Sequence, residues 1–235
     1  MATHLWLITA KTNLHVGNEN TAGTGIIDKA VQRDALTGLP CINSSSLKGA
    51  IKEWCTALPP DKMSAEVRKI IFGSDKGGSP TESQKGRARF FDAKLLYIPK
   101  QCDDVPYRLA THKILVDEII ARAEMLGLGV EEDLLKENVS ASAPKPKFTV
   151  LEEYKDFYTL CDDEHLPVIA RNALENGLSE NLWYEQVIPA ETVFCAMIDD
   201  MDGDPLMCLD GQYVQIGANA TIGYGLCKFT NVKVI

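Results

Sequence analysis

Apolar residues recur along this chain in two rhythms, one helical and one extended. Leu5 to Ala10 is a short apolar run of β-forming residues and predicts a first strand. From Ser44 to Leu58 the spacing changes. Leu47, Ile51, Trp54, Cys55 and Leu58 recur at the intervals of one buried helical stripe. Ser44 or Ser45 is placed to cap that helix, and Pro59 and Pro60 end it. Lys48 and Lys52 share a face away from the stripe. Val67, Ile70 and Ile71 predict a second short helix ending at Gly73, and Ile114 to Leu126 a third closed by Gly127. Arg89 to Ile98, Glu191 to Ile198, Tyr213 to Ile216 and Leu226 to Ile235 predict strands, while Leu166 to Leu174 fits either state. Polar or glycine-rich loops separate them at Gly17–Gly25, Ser74–Gly86, Ser142–Lys147 and Gly217–Gly225. Strands and helices alternate without a regular βαβ rhythm. The expectation is an α+β fold with an antiparallel sheet and helices on one face.

Composition narrows the function classes. The 235 residues are enough for one large domain or two small ones. Lys plus Arg is 24 and Asp plus Glu is 33, a formal charge of −9, which excludes a non-specific nucleic-acid coat but not a local basic groove. The longest apolar runs, such as Val193 to Ile198, fall far short of the roughly 20 residues of a membrane span. No secretory signal opens the chain, so a cytoplasmic protein with no membrane partner is expected. No two of the seven cysteines form a CxxC pair, which points to reduced, mostly buried thiols. Neither GxxxxGK[ST] nor GxGxxG occurs, and no aromatic-rich RNA-recognition signature is present.

The candidate chemistry lies between His15 and Lys52. A glycine-bearing loop passes one carboxylate, Asp28, and feeds a helix N-terminus at Ser44–Ser46, where free backbone N–H groups and the helix dipole favour an anion. Lys48, Lys52, Lys29 and Arg33 add cations, and Gly49, a weak helix former, leaves room for close approach to the backbone. This describes a phosphate-tracking site, although a capped helix with solvated lysines accounts for the same residues. Asp34 reads as a partner for Arg33 or as a turn cap.

Gly25-x-x-Asp28, Val31-Gln32-Arg33, Thr37-Gly38-Leu39-Pro40 and Ser44-Ser45-Ser46-Leu47-Lys48-Gly49 together resemble the N-terminal signature of the RAMP superfamily of CRISPR proteins. Gly217 to Gly225 matches its glycine-rich C-terminal loop. Gln32-Arg33 and the Asn181–Glu185 segment followed by Pro189 are most similar to the backbone, target-RNA-slicing subunits of type III-B (Cmr) effector complexes. Ala30 and Asn43 depart from the usual pattern without removing a charged group.

The resemblance implies one domain over 1–235 with a ferredoxin-like, modified RNA-recognition core. It implies a lid or helical insertion at about 60–145 and a thumb hairpin at about 166–190. It further implies a helical filament of copies along the CRISPR RNA, thumbs that kink the guide–target duplex, and partners that include a polymerase-like large subunit. By the same resemblance Asp28 is the loop carboxylate needed for cleavage with Mg²⁺ or Mn²⁺, and His15 and Glu185 are helpers. Arg33, Lys48, Lys52, Gly217, Asn219, Gly223 and Tyr224 would contact RNA. Attack by a 2′-hydroxyl needs in-line geometry, proton transfer and charge neutralisation, and a lone Asp suits Mg²⁺, which retains several waters. Phosphate contacts carry no sequence information, as a guide scaffold requires. From the residues alone, His15 also reads as a hydrogen-bonded strand-end histidine, Glu185 as a solvated strand residue, and the C-terminal loop as a tight connection. Trp183 and Tyr184 suit either a stacking wedge or the core. The alternatives are a non-catalytic guide-binding scaffold, a guide-processing endonuclease and the type III-A (Csm) counterpart.

Overall fold

The first strand, β1 (Thr3–Ala10), is buried from Leu5 onward because its two faces pack into two cores. In this computed structural model, which describes residues 2–17, 27–74, 84–140 and 146–234, β1 pairs antiparallel with β9 (Val193–Asp199) and with β11 (Leu226–Val232). β9 in turn pairs antiparallel with β4 (Ala93–Lys100), which also pairs with the two-residue β2 (Cys41–Ile42). The order β11-β1-β9-β4 is the 4-1-3-2 arrangement of a ferredoxin-like core, and helix α1 (Ser44–Ala57) lies in the crossover from the first strand to the second. Among the described residues no α-helix lies between β9 and β11, and the 3₁₀ turn Pro205–Leu209 stands in the place of a second core helix. Short β10 (Tyr213–Gln215) extends one edge of the sheet. β5 (Arg108–His112) and β6 (Phe148–Leu151) extend the other as a parallel pair.

α1 forms as its stripe predicts. Leu47, Ile51 and Cys55 are fully buried, with Trp54 and Leu58 half-buried at the margin, and the chain turns extended at Leu58 ahead of the two prolines. Its start differs from expectation. Asn43 is the cap residue, no serine side chain caps the helix, and the Ser44 amide donates instead to the Asp92 carboxylate at 2.7 Å. Asp92 lies in a break that divides the expected Arg89–Ile98 strand into β3 (Arg89–Phe90) and β4. The second and third helices, α2 (Ala65–Phe72) and α3 (Lys113–Met125), end beside Gly73 and Gly127 as read. α4 (Glu132–Ser140) and α5 (Tyr154–Thr159) complete the helices described.

The expectation of helices on one face is corrected. Trp6, Ile8 and Ala10 of β1 point into a core shared with α1, α2 and the 3₁₀ turn. Leu5 and Leu7 point into a second core shared with Val116, Ile119 and Ala123 of α3 and Leu135 and Val139 of α4. Every residue of β9 is buried because the sheet is covered on both faces. Each fully buried Leu or Ile in these cores contributes roughly 1.5–3 kcal/mol.

The ambiguous Leu166–Leu174 segment is a strand. β7 (Val168–Glu175) and β8 (Leu178–Gln186) form a separate two-stranded sheet. Asn176 (φ 52°) and Gly177 (φ 82°) make its turn, since two positive φ values match a two-residue turn to the twist of its strands. The far end is solvated, with Leu174, Leu178 and Leu182 at 64%, 75% and 52% exposure. The predicted loops Gly17–Gly25, Ser74–Gly86 and Ser142–Lys147 lie largely outside the described residues. Among the described residues no helix is long and apolar enough to cross a membrane.

Candidate cleavage site and RNA interface

Where the hairpin joins the body, β8 meets the segment that carries Asp28. Lys29 forms a parallel bridge with Glu185. The Asp28 and Lys29 amides both donate to the Tyr184 carbonyl at 3.0 and 3.1 Å, and the Gln186 amide donates to the Lys29 carbonyl at 2.8 Å. The Tyr184 amide donates to Oδ2 of Asp28 at 2.7 Å. Asp28 therefore stands at the surface while its position is set by backbone hydrogen bonds from the hairpin. Beside it, the Lys29 ammonium lies 5.1 Å from the centroid of the Trp183 ring.

Behind this strip is a buried polar cluster. Glu185 is only 1% exposed. Its Oε2 accepts from Arg171 Nε at 2.7 Å, and its Oε1 accepts from the side-chain amide of Asn219. His15 is 4% exposed, with Nδ1 2.7 Å from the Gln186 carbonyl and 3.4 Å from Glu185 Oε1. A carbonyl only accepts, so Nδ1 carries the proton and Nε2 is the nitrogen left to accept in the neutral ring. That nitrogen faces Gly17, where an added Cβ would lie 3.2 Å from it.

The C-terminal glycine loop closes over the same cluster. The Ala218 amide donates to the His15 carbonyl at 2.9 Å. A Cβ on Gly217 (φ 77°) would lie 2.3 Å from that carbonyl oxygen, so only glycine fits there. The Arg171 guanidinium stacks 4.8 Å from the centroid of Tyr224, and Gly223 lies exposed in the same loop.

The structure thus gathers His15, Glu185, Gly217, Asn219 and Tyr224 around the hairpin base, with Asp28 in front. Glu185 is enclosed rather than solvated, and the glycine loop meets the cluster through half-buried Asn219 and Tyr224 while most of the loop stays exposed. Arg33 departs from its expected role as a cation free for RNA. Its guanidinium donates to the carbonyls of Gly38 and Cys161, both at 2.8 Å, and pairs with Asp163 at 2.7 Å. Asp34 does not pair with Arg33. It caps the turn through the Leu36 and Thr37 amides and the Thr37 hydroxyl, and it pairs with Lys94. Burial pushes the Asp34 carboxyl up, but the Lys94 ammonium and the Thr37 donors outweigh burial and hold it at about 2.

Lys48 and Lys52 line α1, half-buried, on either side of exposed Gly49. A Cβ on Gly49 would meet no protein atom within 4 Å, and an open depression bordered by Gly49, Lys52, Glu53, Thr56 and Ala57 lies over it. Gln32 ties this helix to the Asp28 segment: its Oε1 accepts from the Asn43 amide at 2.9 Å and its Nε2 donates to Ser46 Oγ at 3.0 Å. For a divalent cation, an exposed carboxylate is the hard oxygen donor that Mg²⁺ or Mn²⁺ takes together with waters and phosphate oxygens, so Asp28 fits that role. Another group with metal-ligating potential, His4, Asp200 and Asp204, lies at the far end of β1.

Sequence reasoning missed Arg171, Gln186 and the stacking of Lys29 on Trp183. Gln186 is fully buried, and its Oε1 accepts from the Val31 amide at 3.3 Å. Arg171 was visible only as a lone cation in an alternating run. Its contact with Glu185 follows from a hairpin register that sets Ile169 opposite Glu185 and Arg171 one diagonal away.

A family model described as the RAMP superfamily matches residues 7–228. The chain belongs to the RAMP superfamily. This RAMP chain is similar to the CRISPR system Cmr endoribonuclease Cmr4 of Pyrococcus furiosus, at 25% identity over 89% of this chain and 90% of that protein. Its fold is similar to a chain in the cryo-EM structure of the type III-B Cmr-beta complex bound to cognate target RNA. The TM-score is 0.77 at 21% identity, covering 99% of this chain and 98% of that one. The crystal structure of oligomeric Cmr4 from Pyrococcus furiosus matches with a TM-score of 0.70 at 20% identity, again covering 99% and 98%. The family match over residues 7–228 includes the hairpin.

Proposed function

We propose that this RAMP chain is the backbone subunit of a CRISPR type III-B RNA-guided effector complex, and that it cuts target RNA at Asp28. The observation that carries the reading is the exposed Asp28 carboxylate, held by the backbone of β8 at the foot of a projecting hairpin. Copies stack in a filament along CRISPR RNA in the cytoplasm, joined by other subunits that include a polymerase-like large subunit. The hairpin at about 166–190 acts as the thumb that unstacks the guide–target duplex, and the insertion at about 60–145 as the lid. A relative described as an endoribonuclease, an oligomeric form of that relative and a related complex bound to target RNA support this.

Asp28 would hold Mg²⁺ or Mn²⁺, which when bound supplies positive charge to the scissile phosphate. Lys29, Lys48 and Lys52, with the rim of the glycine loop at Gly223, hold the ribose-phosphate backbone. Guide processing by acid–base catalysis is less well supported, since His15 is buried with Nδ1 committed to a carbonyl.

The test is Asp28→Ala in a complex reconstituted with guide, target and Mg²⁺. Target cleavage is expected to fall by at least about a hundredfold, with assembly and guide binding unchanged. Full cleavage by the variant, or none by the wild type, would overturn the reading.

A further inference from the structure

The sole direct salt-bridge partner of Glu185 on the hairpin is Arg171, and their contact joins three separate parts of the chain. Arg171 is on β7, Glu185 on β8, and Tyr224 and Asn219 in the glycine loop. A carboxylate 1% exposed needs a compensating charge, and in this cluster the neutral Asn219 amide supplies none. His15, 3.4 Å from Glu185 Oε1, bears a charge only when protonated, so the permanent positive charge beside Glu185 is the guanidinium. Tyr184, whose amide donates to Asp28, is the residue immediately before Glu185. Any shift of Glu185 therefore passes through one peptide unit to the donor that orients Asp28.

We propose that Arg171 is a positioning residue for cleavage: it clamps Glu185 between the hairpin and the glycine loop, and so fixes the Tyr184 amide against Asp28. Glu185 works in this pair as a brace and transfers no proton. The inference rests on the reading of Asp28 as the cleaving carboxylate.

Three variants and two readouts test it. Arg171→Gln combined with Glu185→Gln removes both charges, so no uncompensated ion is left to unfold the chain. In the reconstituted complex this double variant is expected to bind guide RNA within about twofold of wild type, and to cleave about tenfold to a hundredfold more slowly in single turnover. Arg171→Lys, which keeps the charge, is expected to recover most of the rate. Arg171→Gln alone leaves the buried Glu185 carboxylate without its compensating charge and should cleave no faster than the double variant. Wild-type cleavage by the double variant, or multiplicative losses from the two substitutions, would overturn the proposal.

Amide hydrogen exchange on the full chain decides it independently of cleavage. In the double variant the amides of Asp28, Tyr184 and Gln186 are expected to exchange about tenfold faster or more, with α1 unchanged. Unaltered exchange at those amides would equally overturn it. A wild-type complex that leaves target uncut would defeat the Asp28 reading, and the exchange result would still judge the clamp.

Discussion

The cluster behind the hairpin base and the strip in front of it contain the same kinds of groups in opposite surroundings. Behind, Glu185 is enclosed and held by half-buried Arg171 and Asn219, with His15 alongside. In front, Asp28 and Lys29 stand in solvent, held by backbone hydrogen bonds and one aromatic face. The charge that has lost its water is fixed in place by its partners. The charge that keeps its water stays open to a phosphate or a metal ion. The Tyr184 amide that serves Asp28 belongs to the residue immediately before Glu185, so the enclosed cluster adjoins the open strip along the backbone.

The largest effect that could break this contrast is thermodynamic. Glu185→Ala leaves the half-buried Arg171 guanidinium without its carboxylate and is expected to lower stability by about 2–4 kcal/mol in urea unfolding. Asp28→Ala gives up one solvent-accessible hydrogen bond and is expected to lose no more than about 1 kcal/mol. Equal losses would abolish the distinction between the two regions.

Asp34 lies between the extremes, half-buried and paired with Lys94. Its carboxyl is held at about 2 against an ordinary 3.8. Because the folded value is depressed, its contribution is complete above about pH 4 and is lost as pH falls toward about 2. Asp34→Asn is expected to cost about 1–2 kcal/mol at pH 7, and the gap from wild type should close in acid. A gap independent of pH would show that the charge contributes nothing.

Gly49 separates stability from binding. Since a Cβ there meets no protein atom, Gly49→Ala should stabilise the chain by about 0.5–1 kcal/mol through helix propensity alone. If RNA crosses α1 at this point, the same methyl group should weaken guide affinity several-fold. Unchanged affinity would move the RNA path off this helix. The smallest effect is expected at the hairpin tip. Leu178→Ser should change the stability of the isolated chain by less than about 0.5 kcal/mol, because Leu178 is 75% exposed. A loss above about 1 kcal/mol would mean that the tip packs on its own chain.

What could be read from the residues was local. The stripe of α1, its proline stop, and the glycines that end α2 and α3 each depend on neighbours within a few positions. The composite motif around Asp28 was likewise contiguous. The errors involve distant partners. Asp92 reaches Ser44 across 48 positions, Arg33 reaches the Cys161 carbonyl across 128, and Tyr184 reaches Asp28 across 156. Such pairings are fixed by topology, and no periodicity announces them. One clue to the doubly covered sheet was nevertheless present. The run Val193-Phe194-Cys195-Ala196-Met197-Ile198 has no polar alternation, as expected for a strand with helices on both sides.

The second layer, α3 and α4, has a consequence for recognition. An RNA-recognition sheet left bare offers a flat table on which nucleobases are laid and identified. Here that table is roofed over by Val116, Ile119, Leu135 and Val139. On the proposed path along the crest between α1 and the hairpin foot, the protein would meet the sugar-phosphate rail of a polynucleotide instead of its letters. One unvarying chain can accordingly be threaded onto guides of any spelling.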